Sequence, residues 1–446
     1  KSFNLRSRAA GAGAADYRTA RFSLIHTAHA PLLPIPHCYG IIPRMENNSK
    51  VQKLDLATWL SFMLFATGAI IIAVCLPEIS KTFSTNLSEG GGIETARSAV
   101  MFIVLLLAGM LAQRWGKKRF LTLGQYMIAA GFLLGSFAQN YAMLIVAVML
   151  MGAGAGFSEA LLNPLIVDLH PRESGRYLNI GHAFYPVGVM TSALLFGELL
   201  TRGVSWRSLF LIAAAGALVV AVLFTVLRFP PEEKDESSYP KLFVSILSLG
   251  VFWLFAIAIA LGAAIESAFT FWSRSYVGAY LSDVPRSGAI AVVIFAAAMA
   301  IGRFAAGYLS NKTSLNNIML GSAVLGIVVS AFIPFATSLF GFYGLLALAG
   351  LATACFWPTI MAEADNYLEE VNSTILFILL ACAGIIGFGL TPWILGMIGD
   401  SSELRAGFVV IPLLFLGLVV VLVVDRRMSR GKLETAAEFD RERSTV

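Results

Sequence analysis

The sequence predicts an all-α membrane protein, with twelve transmembrane helices in two pseudo-symmetric six-helix bundles. Three observations carry that prediction. Of the 446 residues, 57% are hydrophobic and only 13% charged, about half the charge of a soluble domain. Apolar runs of roughly 20 residues, enough to cross a bilayer as a helix, fill the chain from Leu56 to Val424. The two halves of that region also repeat one another. The short alternating segments of a membrane β-barrel are absent.

In chain order, residues 1–54 form an N-terminal extension expected to have no fold. Its Arg-, Ala-, Pro- and His-rich start fits either an organelle-type transit peptide or a stretch upstream of a start at Met45. Spans are expected near 55–77, 93–114, 118–138, 141–168, 176–201 and 206–228, giving a first bundle over 55–228. The polar, proline-bounded run FPPEEKDESSYP opens a linker over 229–242. Spans near 243–274, 285–310, 315–338, 341–367, 373–398 and 404–425 make the second bundle, 243–425. A basic tail, 426–446, closes the chain.

Lys and Arg crowd alternate turns. Arg114, Lys117, Lys118 and Arg119 follow span 2, and Arg426, Arg427, Arg430 and Lys432 follow span 12. By the positive-inside rule the even-numbered turns, the linker and both termini face the cytoplasm of a cell (plasma or inner) membrane. GMLAQR at Gly109–Arg114 is echoed by GYLSNK at Gly307–Lys312, and NPLIVD at Asn163–Asp168 by WPTIMA at Trp357–Ala362. The nearly equal offsets argue for a duplicated six-span unit, an arrangement typical of secondary transporters with a midplane site between halves. Cys38, Cys75, Cys355 and Cys382 have no metal or redox spacing. The net charge of +5 comes from basic residues at span ends, so it is no nucleic-acid signature.

The richest stretch is Gly152–Gly188, two apolar helices joined by a polar turn. It carries Glu159, Asn163, Asn179, His182 and Tyr185. An ionisable group at membrane depth is costly and marks a functional site by default. Glu159 and Asn163 share a face at i, i+4, as do Asn179, His182 and Tyr185. Desolvation disfavours a carboxylate charge, so Glu159 is expected to take up and release a proton; the alternative is a structural group tied to His182 or a backbone amide. His182 is either a second protonation site or a packed core residue. Asp168 and His170 lie at the cytoplasmic end near Arg172 and Arg176, where helix caps and gate-side salt bridges are expected, with a transport role as the alternative; Arg114 is a further gating candidate. GAGAG at Gly152–Gly156 permits close helix packing and is no phosphate loop.

In the second half, Glu266 is either a substrate or ion ligand or an interdomain ion-pair partner. Trp272 lies off its face and joins a cavity only if span 7 is broken, which Gly262 permits. Arg274 is expected as an outer-edge snorkelling residue. Arg303 is expected near the cytoplasmic end of span 8, in a conformational salt bridge or a substrate contact. Trp357, beside Pro358, is either a stacking platform at a broken helix or a packing residue.

The basic turn GMLAQRWGKKRF resembles the loop motif between spans 2 and 3 of the major facilitator superfamily, with Gln113 and Asn311 where the family has Asp. In the family that Asp helps lock the outward-open state, so here a lock must use hydrogen bonds or other charges. SEALLNP, LNIGHAFYPVG, IGRFAAGYL and the run from Phe356 to Asp400 resemble the fucose permease branch, which imports hexoses with protons. The resemblance implies a twelve-span fold working by alternating access. It aligns Glu159 with the branch's protonatable, sugar-linked carboxylate and Tyr185 with a sugar-binding Asn. It places Ala73 where the branch has a proton-linked Asp, so coupling falls to Glu159, alone or with His182 or Glu266. The glycine/proline motif of drug antiporters in span 5 is absent.

The expected protein is therefore a secondary transporter, and not an enzyme. It moves a neutral sugar or similar polyhydroxylated solute with a coupling ion (proton or sodium), as a monomer in the bilayer, with no cofactor, metal or nucleic acid. Two rivals stand beside it: an exporter of drugs or metabolites, whose cavity would be mostly apolar, and a transport-dead membrane sensor.

Overall fold

A bilayer offers no hydrogen-bond partners to a backbone, so a spanning segment must pair its own N–H and C=O groups, and a helix does so within one segment. The computed structural model describes residues 48–171, 173–231, 239–310, 312–368 and 371–444, and its regular structure is entirely helical. The first half holds α1 (Asn48–Phe83), α2 (Leu87–Trp115), α3 (Lys117–Ser136), α4 (Tyr141–Leu169), α5 (Ser174–Thr201) and α6 (Trp206–Val226). A short helix, α7 (Tyr239–Leu247), leads into α8 (Gly250–Tyr280), α9 (Pro285–Leu309) and α10 (Leu315–Phe332). The chain ends with α11 (Leu339–Thr353), α12 (Phe356–Tyr367), α13 (Ser373–Ser401), α14 (Leu404–Phe408) and α15 (Val410–Ser444).

Among the described residues, eleven helical segments are long and apolar enough to cross a membrane. α3 is the twelfth. It opens on Lys117, Lys118 and Arg119 and carries the buried Gln125, which lowers its hydropathy, but its 20 residues still span about 30 Å. Two adjacent pieces, α11 and α12, make the tenth span. They part at Ala354 and Cys355. Pro358 follows four residues after Ala354, and a proline ring clashes with the carbonyl of residue i−4. The break falls beside Trp357, the first of the two alternatives left open for it. α8, in contrast, runs unbroken through Gly262.

Several boundaries differ from the expectation, among them the start of α2 at Leu87 rather than 93. α1 starts at Asn48 rather than 55, α7 takes up the end of the linker at 239–242, and α15 continues helically through the tail to Ser444. Residues 1–47, Arg172, the linker core 232–238 and Asn311 lie outside the described residues.

The GAGAG segment packs as its composition foretold. A Cβ on Gly152 would meet the carbonyl oxygen of Arg97 in α2, and one on Gly154 would meet that of Gly124 in α3. α4 therefore approaches both neighbours backbone to backbone. The two halves meet mainly where α2 lies on α13 and α5 on α9.

Cross-half polar contacts gather at the end that carries the α1–α2 turn. Arg274 pairs with Glu78 at 2.9 Å and Arg286 with Glu198 at 3.1 Å. The Asp400 carboxylate, at the end of α13, accepts from the Leu87 and Ser88 N–H groups that start α2, at 2.8 and 2.9 Å. At the opposite end the pairs stay within the first half, Lys117 with Asp168 and His170 with Asp55 (2.8 Å). Among the described residues these two cross-half ion pairs thus lie at one end. Arg274 is nearly fully buried in its pair with Glu78, so it does not snorkel at the outer edge.

Candidate functional site

Between the halves lies a cavity of about 160 Å³. Glu159 from α4, His182 and Tyr185 from α5, Glu266 from α8, Arg303 from α9 and Trp357 from α12 all line it. Sequence reasoning placed all six at membrane depth or at its edge, and packing brings them together. Aromatic side chains fill out the wall. Phe62 lies 5.1 Å from the His182 ring and Phe65 5.5 Å from the Tyr185 ring, centroid to centroid, and Phe388 joins them from α13. Such a wall gives flat apolar surface beside hydrogen-bonding groups.

The charges in this cavity are held unequally. Glu159 has no hydrogen bond or ion pair to the protein among the described residues. Arg303 Nη2 stands 3.9 Å from Glu266 Oε2, and its Nε is buried without a partner. That distance is too long for a hydrogen bond. Arg303 lines the cavity wall from a point about five turns along α9 from Pro285 and less than two turns before its end at Leu309.

A second pair was not foreseen. Arg97 of α2 also lines the cavity, and its partner is Glu94, three residues earlier on the same helix. Arg97 Nε donates to both Glu94 oxygens, at 3.1 and 2.9 Å, and Nη2 adds a further bond to Oε1. Ser98 Oγ donates to the same carboxylate at 3.0 Å. Glu94 is fully buried and Arg97 nearly so. The sequence signal was an opposite-charge i, i+3 pair. A span drawn from 93 puts that pair at a helix end, in solvent. α2 begins at Leu87, which carries Glu94 about 10 Å further in.

Other expected site residues do not reach the cavity. Asn163 lies one turn beyond Glu159 and leaves its Oδ1 buried without a partner; Asn179, two turns before Tyr185, is exposed. Sharing a helix face sets direction but not depth. Trp272 is fully buried in the second-half core, where its Nε1 donates to the Pro392 carbonyl at 3.2 Å. Because α8 is continuous, nothing turns Trp272 toward the cavity.

The residues expected at a gate lie at the opposite end, around the α2–α3 and α4–α5 turns. Asp168 pairs with Lys117, linking α4 to the basic turn, while Lys118 donates to the Leu227 carbonyl at 2.8 Å. Arg176 pairs at 3.5 Å with Glu173 on the surface, and Arg114 lies over the Trp115 ring at 4.9 Å. The basic turn is thus tied down by other charges, with Gln113 in place of the family's Asp. Among the described residues no cluster of His, Cys, Asp and Glu is arranged to hold a metal ion.

The profile of the Major Facilitator Superfamily matches residues 58–375 and 285–444. The chain belongs to that superfamily. Among curated relatives, a glucose/galactose transporter of Brucella abortus is 24% identical over 388 residues, covering 81% of this chain and 92% of its own. The L-fucose-proton symporter of Escherichia coli is 23% identical, covering 82% and 91%. A multidrug resistance protein, Stp, of Mycobacterium tuberculosis is 24% identical, covering 85% and 65%. In fold, a bacterial homologue of the human lysosomal transporter Spinster, solved inward-facing and occupied, superposes with a TM-score of 0.71 at 16% identity, covering 85% of this chain and 98% of that one. The fold is the twelve-helix major facilitator fold, and the protein is a multi-pass membrane transporter.

Proposed function

We propose that this chain imports a neutral sugar or similar polyhydroxylated solute, driven by a proton. The carrying observation is the state of Glu159: a carboxylate in the cavity wall without a protein partner among the described residues, in a cavity whose two arginines have carboxylates of their own. A lone carboxylate in a poorly solvated cavity favours the bound proton, and exposure to water on one side favours its release. His182 and Tyr185 supply neutral hydrogen bonds, and Trp357 and Phe62 supply surface for a sugar ring to stack on. Two relatives carry sugars by name, one of them with a proton. With the basic turns on the cytoplasmic side of a cell membrane, both termini lie there too. The end that carries the Arg274–Glu78 and Arg286–Glu198 pairs is then the outer one.

In proteoliposomes, Glu159→Gln is expected to abolish sugar accumulation driven by a pH gradient while counterflow exchange continues. Normal accumulation by that variant would remove Glu159 as the proton carrier. Replacing sodium with choline should leave uptake unchanged.

A second reading, export of drugs or apolar metabolites, has two observations in its favour: the multidrug relative, and the apolar share of the wall from Met101, Ile385 and Phe388. Response to lipophilic cations and none to sugars in a ligand panel would establish it.

A further inference from the structure

The Glu94–Arg97 pair fastens no second helix. Both residues belong to α2, so the pair joins nothing that the helix does not already join. Buried ion pairs rarely repay their desolvation in stability, which leaves the position of this one to be explained. That position is the seam between the halves. Thr95 Oγ1 donates to the Gly389 carbonyl of α13 at 2.7 Å, and a Cβ on Gly389 would run into Ser98. On the other flank, the Arg97 carbonyl abuts Gly152 of α4. Packing on both sides thus fixes the backbone from which Arg97 reaches the cavity wall.

Guanidinium presents five N–H donors in a rigid plane. Glu94 engages Nε and Nη2, and the Nη1 edge takes no part in that pairing. With Ser98 as a further donor to Glu94, the carboxylate is well supplied and the group as a whole carries no net charge. A free guanidinium would select an anion. A neutralised one offers a rigid donor edge suited to adjacent hydroxyl oxygens, and the aromatic wall of the same cavity suits the apolar face of a sugar ring.

We infer that Arg97, neutralised and oriented by Glu94, is a substrate-binding residue that donates hydrogen bonds to neighbouring hydroxyls of the transported polyol. The inference rests on the sugar reading above and deepens it. Arg97 sets which hydroxyl pattern is accepted, Glu94 is its positioning residue, and the proton stays with Glu159.

The test is concentration-dependent uptake of D-glucose, D-galactose and L-fucose into proteoliposomes by the full chain. Arg97→Lys keeps the charge beside Glu94 and loses the fork. It is expected to raise the half-saturation concentration about tenfold or more, the scale of one charge-assisted hydrogen bond, with an unchanged melting temperature. Deoxy sugars lacking the contacted hydroxyl should lose their disadvantage in this variant. The double variant Glu94→Gln/Arg97→Gln removes both charges together and should behave likewise. A folded Arg97→Lys protein with the half-saturation of the unmodified chain overturns the inference. Failure of both variants to fold overturns it too, because the pair would then be holding the bundle. If the unmodified chain takes up no sugar, the sugar reading falls and this inference with it. Sugar uptake with variants that do not shift removes this inference alone.

Discussion

In α2, Glu94 and Arg97 are bound through several hydrogen bonds within one helix turn; across the cavity, Glu266 of α8 and Arg303 of α9 stand 3.9 Å apart, and Arg303 keeps a buried N–H without an acceptor. Arg97, Glu266 and Arg303 line one cavity, yet the two pairs are built differently. The first takes its geometry from a single helix, so it survives any movement of one bundle against the other. The second depends on how two helices sit together. Only its charges are loose enough to change partners when substrate or a proton arrives. A transporter that rocks needs both kinds of group: one that keeps its shape while the walls move, and one that responds.

The largest expected effect breaks the tight pair from its acidic side. Glu94→Ala would strand a guanidinium that is 4% exposed. Removing one partner of a buried pair costs about 3–5 kcal/mol, which should appear as a large fall in the melting temperature in detergent. A fall of no more than a degree or two would show that the pair is far better solvated than its burial indicates. Next in size is Gly152→Ala, which touches neither charge. Its methyl would press on the Arg97 carbonyl, and overpacking of this kind costs about 1–3 kcal/mol. Gly216→Ala in α6 is the control: its added Cβ would make only an ordinary 3.7 Å contact with Leu64. Equal stability of the two variants would mean that α2 and α4 separate without cost, and the claim that packing fixes Arg97 would fail.

The same contrast explains what was legible in the sequence. Span positions, the repeat, and the polar residues at Glu159, His182, Tyr185 and Glu266 follow from composition and helical spacing, because an apolar run makes each polar residue conspicuous. Depth along the axis is another matter. Asn163 and Asn179 share faces with Glu159 and His182 but lie one turn off, and a turn of 5.4 Å is enough to miss a cavity of this size. Glu94 and Arg97 were hidden for the converse reason. α2 starts six residues ahead of the expected 93, so a pair that looks solvated at a helix end is in fact deep. Trp272 was tied to a break in span 7, and backbone continuity at Gly262 decided against it. The break in span 10 falls just before Pro358, and Trp357 reaches the wall; Pro77, Pro164, Pro186 and Pro392 lie inside unbroken helices, so a proline in the sequence does not by itself tell where a span breaks.

The smallest effect on stability belongs to Glu266→Gln. The two side chains of this pair keep 33% and 14% of their surface exposed and share no hydrogen bond, so the attraction is comparable to that of surface pairs, no more than about 1 kcal/mol. Melting should therefore shift by a degree or so, while transport changes: with Glu266 neutral, Arg303 carries an uncompensated charge into the cavity. The half-saturation concentration for sugar should move, and an acidic sugar such as D-glucuronate should become a better competitor than it is for the unmodified chain. That pairing of a small structural effect with an altered charge preference separates a responsive pair from a structural one. A stability loss as large as that of Glu94→Ala, with transport lost only in proportion, would show that Glu266 and Arg303 are as firmly joined as the pair in α2, and the distinction between them would disappear.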